Sequence, residues 1–227
     1  GDGRMSREEA RRMAREALSQ GRPLDWFETL YAKAQGRADS IPWADLAPNP
    51  NLVNWPGLGG VCPSGCKALV VGCGLGDDAE FLAGRGAKVT AFDLSPTAIA
   101  WAKKRFPGSS VDYVVADLRK PPAAWASAFD FVFEAYTLQV LPPDLRKQAL
   151  TGIPGFLKPG GSLLIVARGR EPSDPEGDMP WPLTKAELMG GLEIKGHVEV
   201  FEDYRDQENP PQRRFRVELR APVSGEV

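Results

Sequence analysis

A short apolar run, Lys67-Ala-Leu-Val-Val71, passes directly into Gly72-Cys73-Gly74-Leu75-Gly76, and this junction constrains the fold more than any other feature of the chain. An apolar run without alternation predicts a strand buried on both faces, and such strands belong to parallel sheets covered by helices. Glycines placed directly after it let the backbone turn sharply, approach a ligand closely and aim amide groups at it. The rhythm repeats downstream. Strands are predicted over 67–71, 88–92, 113–116, 129–133 and 162–167. Helices separate them: one follows the glycine loop to about Gly86, and one is capped by Ser95 with Pro96 at its first position. A third covers 144–157 and runs into the turn Lys158-Pro159-Gly160-Gly161. Thr184-Lys-Ala-Glu187 is a capping box that opens another helix. Segments 193–201 and 213–220 alternate and read as an antiparallel pair. The pattern predicts an α/β fold, a mostly parallel seven-stranded sheet with helices on both faces and an antiparallel C-terminal hairpin.

Ahead of this core, Ser6 to Glu9 is a second capping box, and Ala10, Met13, Ala14, Ala17 and Leu18 fall on one helical face. A helix is predicted over 24–34, then Pro-, Gly- and Asn-rich loop over 41–66 with one turn around Leu52. Residues 5–66 are therefore expected to cover a core of 67–227 within one compact domain. Gly1 to Arg4 precede the first methionine, Met5, and are set aside. A chain of 227 residues suits one domain. The net charge is −2 with no basic cluster, which argues against nucleic acid as the main partner. No apolar run is long enough to span a bilayer, and none near the start reads as a signal peptide. Three cysteines do not make a disulfide framework, so a reducing, cytoplasmic setting is expected. Cys62 and Cys66 offer two thiols with no histidine nearby, too few for zinc, and are read as loop cysteines without function; no metal is expected.

The loop spacing is G-x-G-x-G rather than the G-x-G-x-x-G of dinucleotide sites, and Asp77 would sit badly beside a pyrophosphate. Asp93 ends the second predicted strand at the distance suited to holding ribose hydroxyls, and Leu94-Ser95-Pro96 follows it as a helix start. Asp117, within Ala116-Asp117-Leu118, ends the third and is placed to accept from an adenine amino group. Three strand ends with polar residues in register form a crevice at the carboxyl edge of the sheet.

Together, Gly72-Cys73-Gly74, Phe92-Asp93-Leu94-Ser95-Pro96, Ala116-Asp117 and Leu157-Lys158-Pro159-Gly160-Gly161 resemble successive motifs of the class I, Rossmann-like S-adenosylmethionine-dependent methyltransferases. The resemblance spans residues 67–168. It implies S-adenosylmethionine as cofactor, S-adenosylhomocysteine as product, and Gly72, Cys73, Gly74, Gly76, Asp93, Leu94, Ser95, Ala116, Asp117, Leu118 and Glu134 at the cofactor. Val70 departs from the acid many of these enzymes carry two residues before the first glycine. The thiopurine and thiol S-methyltransferase branch is apolar there, and its N-terminal cover is similar to residues 26–55. That likeness implies Trp26 and Trp43 near the cofactor.

Methyl transfer from a sulfonium is an in-line displacement that needs alignment and exclusion of water. Hydroxyl acceptors also need a base, whereas thiols of low pKa do not. The single histidine, His197, lies in a late predicted strand and reads as a satisfied structural residue. This favours an easily ionised acceptor. Glu134 and Tyr136, at the fourth strand end, are the expected catalytic pair. Tyr136, Arg168, Arg170 and Trp181 are the expected acceptor contacts, with an acidic loop over 171–182 as a lid. Pairing of the arginines with Asp174, Glu176 or Asp178 is the other reading. The expectation is a small-molecule methyltransferase (EC 2.1.1.-) acting on a thiol, as monomer or homodimer. Alternatives are O- or N-methylation of a small metabolite, a nucleotide-cofactor oxidoreductase, or a protein that senses S-adenosylmethionine without turnover.

Overall fold

The structure, a computed structural model, describes residues 7–223. The capping residue Ser6 lies outside them. Helices α1 (Arg7–Ser19) and α2 (Trp26–Ala34) lead through two short helices, α3 (Pro50–Val53) and α4 (Leu58–Val61), into the sheet. There β1 (Lys67–Val71), α5 (Asp77–Gly84), β2 (Lys88–Asp93), α6 (Pro96–Arg105), β3 (Asp112–Val115) and β4 (Phe129–Ala135) follow. They are succeeded by α7 (Pro143–Gly152), β5 (Leu157–Arg168), α8 (Lys185–Leu192), β6 (His197–Arg205) and β7 (Arg213–Arg220). The seven strands are ordered β3-β2-β1-β4-β5-β7-β6. The first five run parallel, and β7 enters antiparallel between β5 and β6. Strand order reverses between β1 and β4, which opens a crevice at their carboxyl ends.

The buried apolar runs explain the layers. Leu69, Val71, Val132, Leu163 and Ile165 face one side and pack with α7 and α8 residues such as Leu150 and Leu188. Ala68, Val70, Phe131, Phe133 and Leu164 face the other and meet Ala79, Leu82 and Ile99 of α5 and α6. A third cluster joins Ala10, Trp26, Leu30 and Tyr31 to Leu75 and Ala98, seating α1 and α2 over the glycine loop. Among the described residues no helix is long and apolar enough to cross a membrane.

Several elements differ from expectation. The helix predicted over 144–157 stops at Gly152 and tightens into a 3-10 turn, Ile153–Phe156, because Pro154 lacks the amide an α-helix would use. The Lys158–Gly161 turn is absorbed into β5 as a bulge between the pairs Phe129↔Leu157 and Phe131↔Ser162. The first hairpin strand begins at His197, four residues later than predicted, and extends to Arg205. Its charged end is paired across the hairpin, Glu202 with Arg216 and Asp203 with Arg213, which hides the period in hydropathy. His197 is exposed on this edge strand rather than held in a core. Cys62 and Cys66 are not free loop cysteines. The turn between them brings their Cα atoms to 5.6 Å and they form a disulfide, both buried beside β1. That removes the cysteine argument for a reducing, cytoplasmic setting.

Candidate active site

The carboxyl ends of β1 to β5 open into a cavity of about 1360 Å³, roofed by α1, α2, the 42–54 segment and the 205–212 hairpin loop. The glycine loop forms its floor. Gly72 has φ +64° and a Cβ there would run into the Thr137 hydroxyl; Gly76 has φ +96° and would meet the Tyr113 hydroxyl. Only glycine fits both the conformation and the space.

Asp93 ends β2 and lines the cavity. One carboxylate oxygen accepts from the Gly74 amide at 2.9 Å, the other from the Ser95 amide at 3.0 Å. A carboxylate offers roughly four acceptor positions, so capacity beyond these amides remains for a ligand. Burial raises the Asp93 pKa, and the amide hydrogen bonds oppose that rise. Ser95 itself is buried and does not line the cavity. It caps α6 through the Ala98 amide at 3.0 Å and donates to Glu28 at 3.1 Å. Glu28 also accepts from the Thr97 amide at 2.7 Å and hydroxyl at 2.8 Å, clamping α2 to the start of α6. Nothing in the local pattern of helix 24–34 singled out this acid.

Leu94, Ala116, Asp117 and Leu118 line the same wall. Both Asp117 oxygens are engaged by the Arg119 guanidinium, at 2.7 to 3.1 Å, and this pair holds the Asp117 carboxyl below its ordinary range. Asp77 is likewise forked by Arg105, at 2.8 and 3.0 Å. Cys73 lines the cavity, and burial pushes its thiol up.

The aromatic residues separate into two groups. Trp43 borders the cavity and donates its indole hydrogen to the Tyr31 hydroxyl at 3.1 Å. Trp26 is buried behind it, edge-on at 5.9 Å, and borders instead a second, small cavity of about 130 Å³ shared with Trp181. Neither Trp26 nor Trp181 lines the main cavity.

Glu134 is fully buried and also stands behind the lining. Its Oε1 accepts from the Thr137 and Leu138 amides at 2.6 and 3.1 Å; its Oε2 has no hydrogen-bond partner among the described residues. Burial lifts its pKa from 4.5 to about 7, against those two hydrogen bonds. Tyr136 does face the cavity, in a left-handed conformation with φ 66°. A non-glycine residue there is strained, and such strain gathers at functional sites. The Asn51 amide donates to its hydroxyl at 3.0 Å, the Tyr204 hydroxyl donates to Asn51 Oδ1 at 2.5 Å, and the Arg214 guanidinium lies over its ring at 4.7 Å. Burial raises the Tyr136 pKa, with Arg214 opposing, so the phenol keeps its proton near neutrality. Asp78 also lines the cavity, and burial lifts it to about 6 although the Asn49 amide donates to it at 2.7 Å.

Arg168 lines the cavity, and its guanidinium donates to the Pro180 carbonyl at 2.5 Å. Arg170 does not line it and donates to the carbonyls of Glu171 and Asp174 at 3.3 and 3.1 Å, folding the acidic loop back on itself. Sequence reasoning missed Tyr31, Asn49, Asn51, Tyr204, Arg214 and Arg216. These come from the cover and the hairpin, and only the fold of both over the sheet brings them to the cavity.

Residues 68–161 match the methyltransferase domain family. The chain is 34% identical over 113 residues to a ubiquinone biosynthesis O-methyltransferase of Xanthomonas axonopodis pv. citri, covering 49% of this chain and 46% of that protein. It is 29% identical over 131 residues to an Arabidopsis thaliana protein named "Probable thiol methyltransferase 2", covering 57% of each. The chain thus spans about half the length of the curated relatives it matches. Among solved structures, the N-methyltransferase NodS of Bradyrhizobium japonicum WM9, in complex with S-adenosylhomocysteine, superposes with a TM-score of 0.65 at 20% identity. That match covers 86% of this chain and 99% of the other, and it shows a shared fold.

Proposed function

We propose, for a chain whose residues 68–161 belong to the methyltransferase-domain family and whose sheet is that of the class I S-adenosylmethionine-dependent methyltransferases, that it moves a methyl group from S-adenosylmethionine to a small-molecule acceptor. The observation that carries this reading is Asp93, which tethers Gly74 with one oxygen and still faces a crevice at the reversal of strand order.

The residues present suit that cofactor. The floor at Gly72 and Gly74 lets backbone approach it closely, Asp93 has acceptor capacity left for ribose hydroxyls, and Leu94, Ala116 and Leu118 offer an apolar wall to an adenine. Asp117 shares its oxygens with Arg119, so an adenine amino group would compete for or supplement that pair. When bound, S-adenosylmethionine supplies a methyl on a sulfonium that is open to in-line displacement. Gly76, Ser95, Trp26 and Glu134 do not line the cavity and act by holding the residues that do. The cover, residues 5–66 in this reading, supplies Trp43, Asn49 and Asn51 and excludes water. Tyr136 donates a hydrogen bond toward the acceptor and, with Arg214 behind it, orients the attacking atom.

The acceptor atom is sulfur in this reading. Burial raises the Tyr136 and Cys73 pKa values and so keeps both protonated and unable to take up a proton, and no histidine lines the cavity among the described residues. An acceptor that arrives ionised needs no base. Oxygen is the second reading, favoured by Asp78, a cavity carboxylate raised to about 6. Calorimetry with S-adenosylmethionine, S-adenosylhomocysteine and NAD tests the cofactor; preference for NAD sinks the proposal. Transfer of labelled methyl to a panel of thiols and phenols tests the acceptor, and activity confined to phenols overturns the sulfur assignment.

A further inference from the structure

The end of the cavity beyond Tyr136 is rich in arginine: three hairpin guanidinium groups there have carboxylate partners, and Arg205 at the end of β6 is exposed to solvent. Arg214 pairs with Asp206 at 2.8 Å and Glu208 at 3.0 Å, and Arg216 with Glu202 at 2.6 Å. Arg213 pairs with Asp203 at 2.7 Å and Glu171 at 2.8 Å. Arg168 is different. It is half-buried and lines the cavity, yet among the described residues it has no ion pair. A neutral carbonyl, that of Pro180, takes one of its five N–H groups. Burial and the like charges of Arg214, Arg7 and Arg11 all weigh against its cation; Glu208, already engaged by Arg214, offsets them only in part. A desolvated guanidinium among other cations is costly unless an anion pairs with it.

We infer that Arg168 anchors an anion subsite at the acceptor end of the cavity and that the methyl acceptor carries a carboxylate which Arg168 grips. The inference rests on the methyltransferase reading above. A guanidinium fork matches a carboxylate with two parallel hydrogen bonds, which fixes orientation as well as position. Its location suits that task. The Tyr136 amide donates to the Val166 carbonyl at 3.2 Å, and Arg168 lies two residues further along β5. A small acid held at Arg168 would lie across Tyr136 with its other end toward the glycine loop. Arg7, exposed on the rim and also lining the cavity, adds long-range attraction for anions.

The test compares thiosalicylate with its methyl ester, and salicylate with its methyl ester, so that either acceptor atom can report. Wild-type protein is expected to favour the acids by at least about tenfold in kcat/KM, the worth of a paired, partly buried carboxylate. Arg168→Met should bring that ratio close to one by raising KM for the acids, and Arg168→Lys should restore part of it. Calorimetry gives a second readout: thiosalicylate affinity, with and without S-adenosylhomocysteine, falls in Arg168→Met while S-adenosylhomocysteine affinity is kept. If Arg168→Met does not fold, Arg7→Ser is measured instead and should lower the acid preference about twofold. No acid preference in wild type, or a preference that survives Arg168→Met, overturns the subsite. Failure of wild type to bind S-adenosylhomocysteine overturns the methyltransferase reading instead, and the thiosalicylate titration then judges the subsite alone.

Discussion

Replacing Glu134 with glutamine should change how the stability of the protein depends on pH. Glu134 is fully buried, and burial lifts its pKa from 4.5 to about 7. Between those values the folded chain holds a proton that the unfolded chain has released. Stability contributed at this site therefore falls as pH rises from 4.5, and the whole penalty is in place once pH passes 7. At 1.36 kcal/mol for each pH unit between the two pKa values, the penalty is about 3 kcal/mol. Glutamine keeps an oxygen for the Thr137 and Leu138 amides but cannot ionise. It places an amide where Oε2 now lacks a partner, a cost of about 1 kcal/mol that does not vary with pH. Glu134→Gln should thus be slightly less stable than wild type at pH 5 and about 2 kcal/mol more stable at pH 8. Urea unfolding of both proteins at both pH values measures the double difference. Asp78 and Asp93 are also raised by burial, but they are common to both proteins and cancel. Parallel pH profiles, within about 0.5 kcal/mol, would refute the reasoning.

Three further outcomes follow from the geometry. Asp93→Ala should weaken S-adenosylmethionine binding at least about tenfold in calorimetry and also lower Tm, since the Gly74 and Ser95 amides lose a charged acceptor; unchanged affinity in the folded variant would remove Asp93 from the site. Gly76→Ala should cost about 2 kcal/mol or more in denaturant unfolding, because φ is +96° and the Tyr113 hydroxyl occupies the space a Cβ would need. Arg216→Met should cost about 3 kcal/mol, because it strands Glu202 and breaks hydrogen bonds at 2.9 and 2.8 Å to Asn51 and Asn54 that fasten the cover to β7. Loss of cofactor affinity alongside stability in that variant would show that the cover and the cofactor site are coupled.

How much of this was legible beforehand depended on whether local pattern or distant partners controlled each residue. The strands at 67–71 and 213–220 agree with prediction to the residue, because unbroken apolarity and clean alternation are local signals. The Ser95 cap is formed as read, since its partner is three residues away. Glu187 shows the limit. The Thr184 hydroxyl accepts from the Glu187 amide at 3.1 Å as the capping box requires, while the Glu187 carboxylate pairs with Arg146 on α7 at 2.7 Å. Trp26 and Trp43 are alike in sequence terms, yet one is buried behind the other, and only the docking of α2 on α6 distinguishes them. The cysteine pair was misjudged because a turn of three residues, not spacing alone, brings the sulfurs together.

The run of valines into Gly72, Gly74 and Gly76, with acids at the next strand ends, determined by itself a parallel sheet with a ligand crevice, because burial period and glycine conformation are properties of short segments. The tertiary structure decided the acceptor end. Asn51, Tyr204, Arg214 and Arg168 come from the cover, the hairpin and β5, and their charges and hydrogen bonds take on meaning only where those distant elements close over Tyr136.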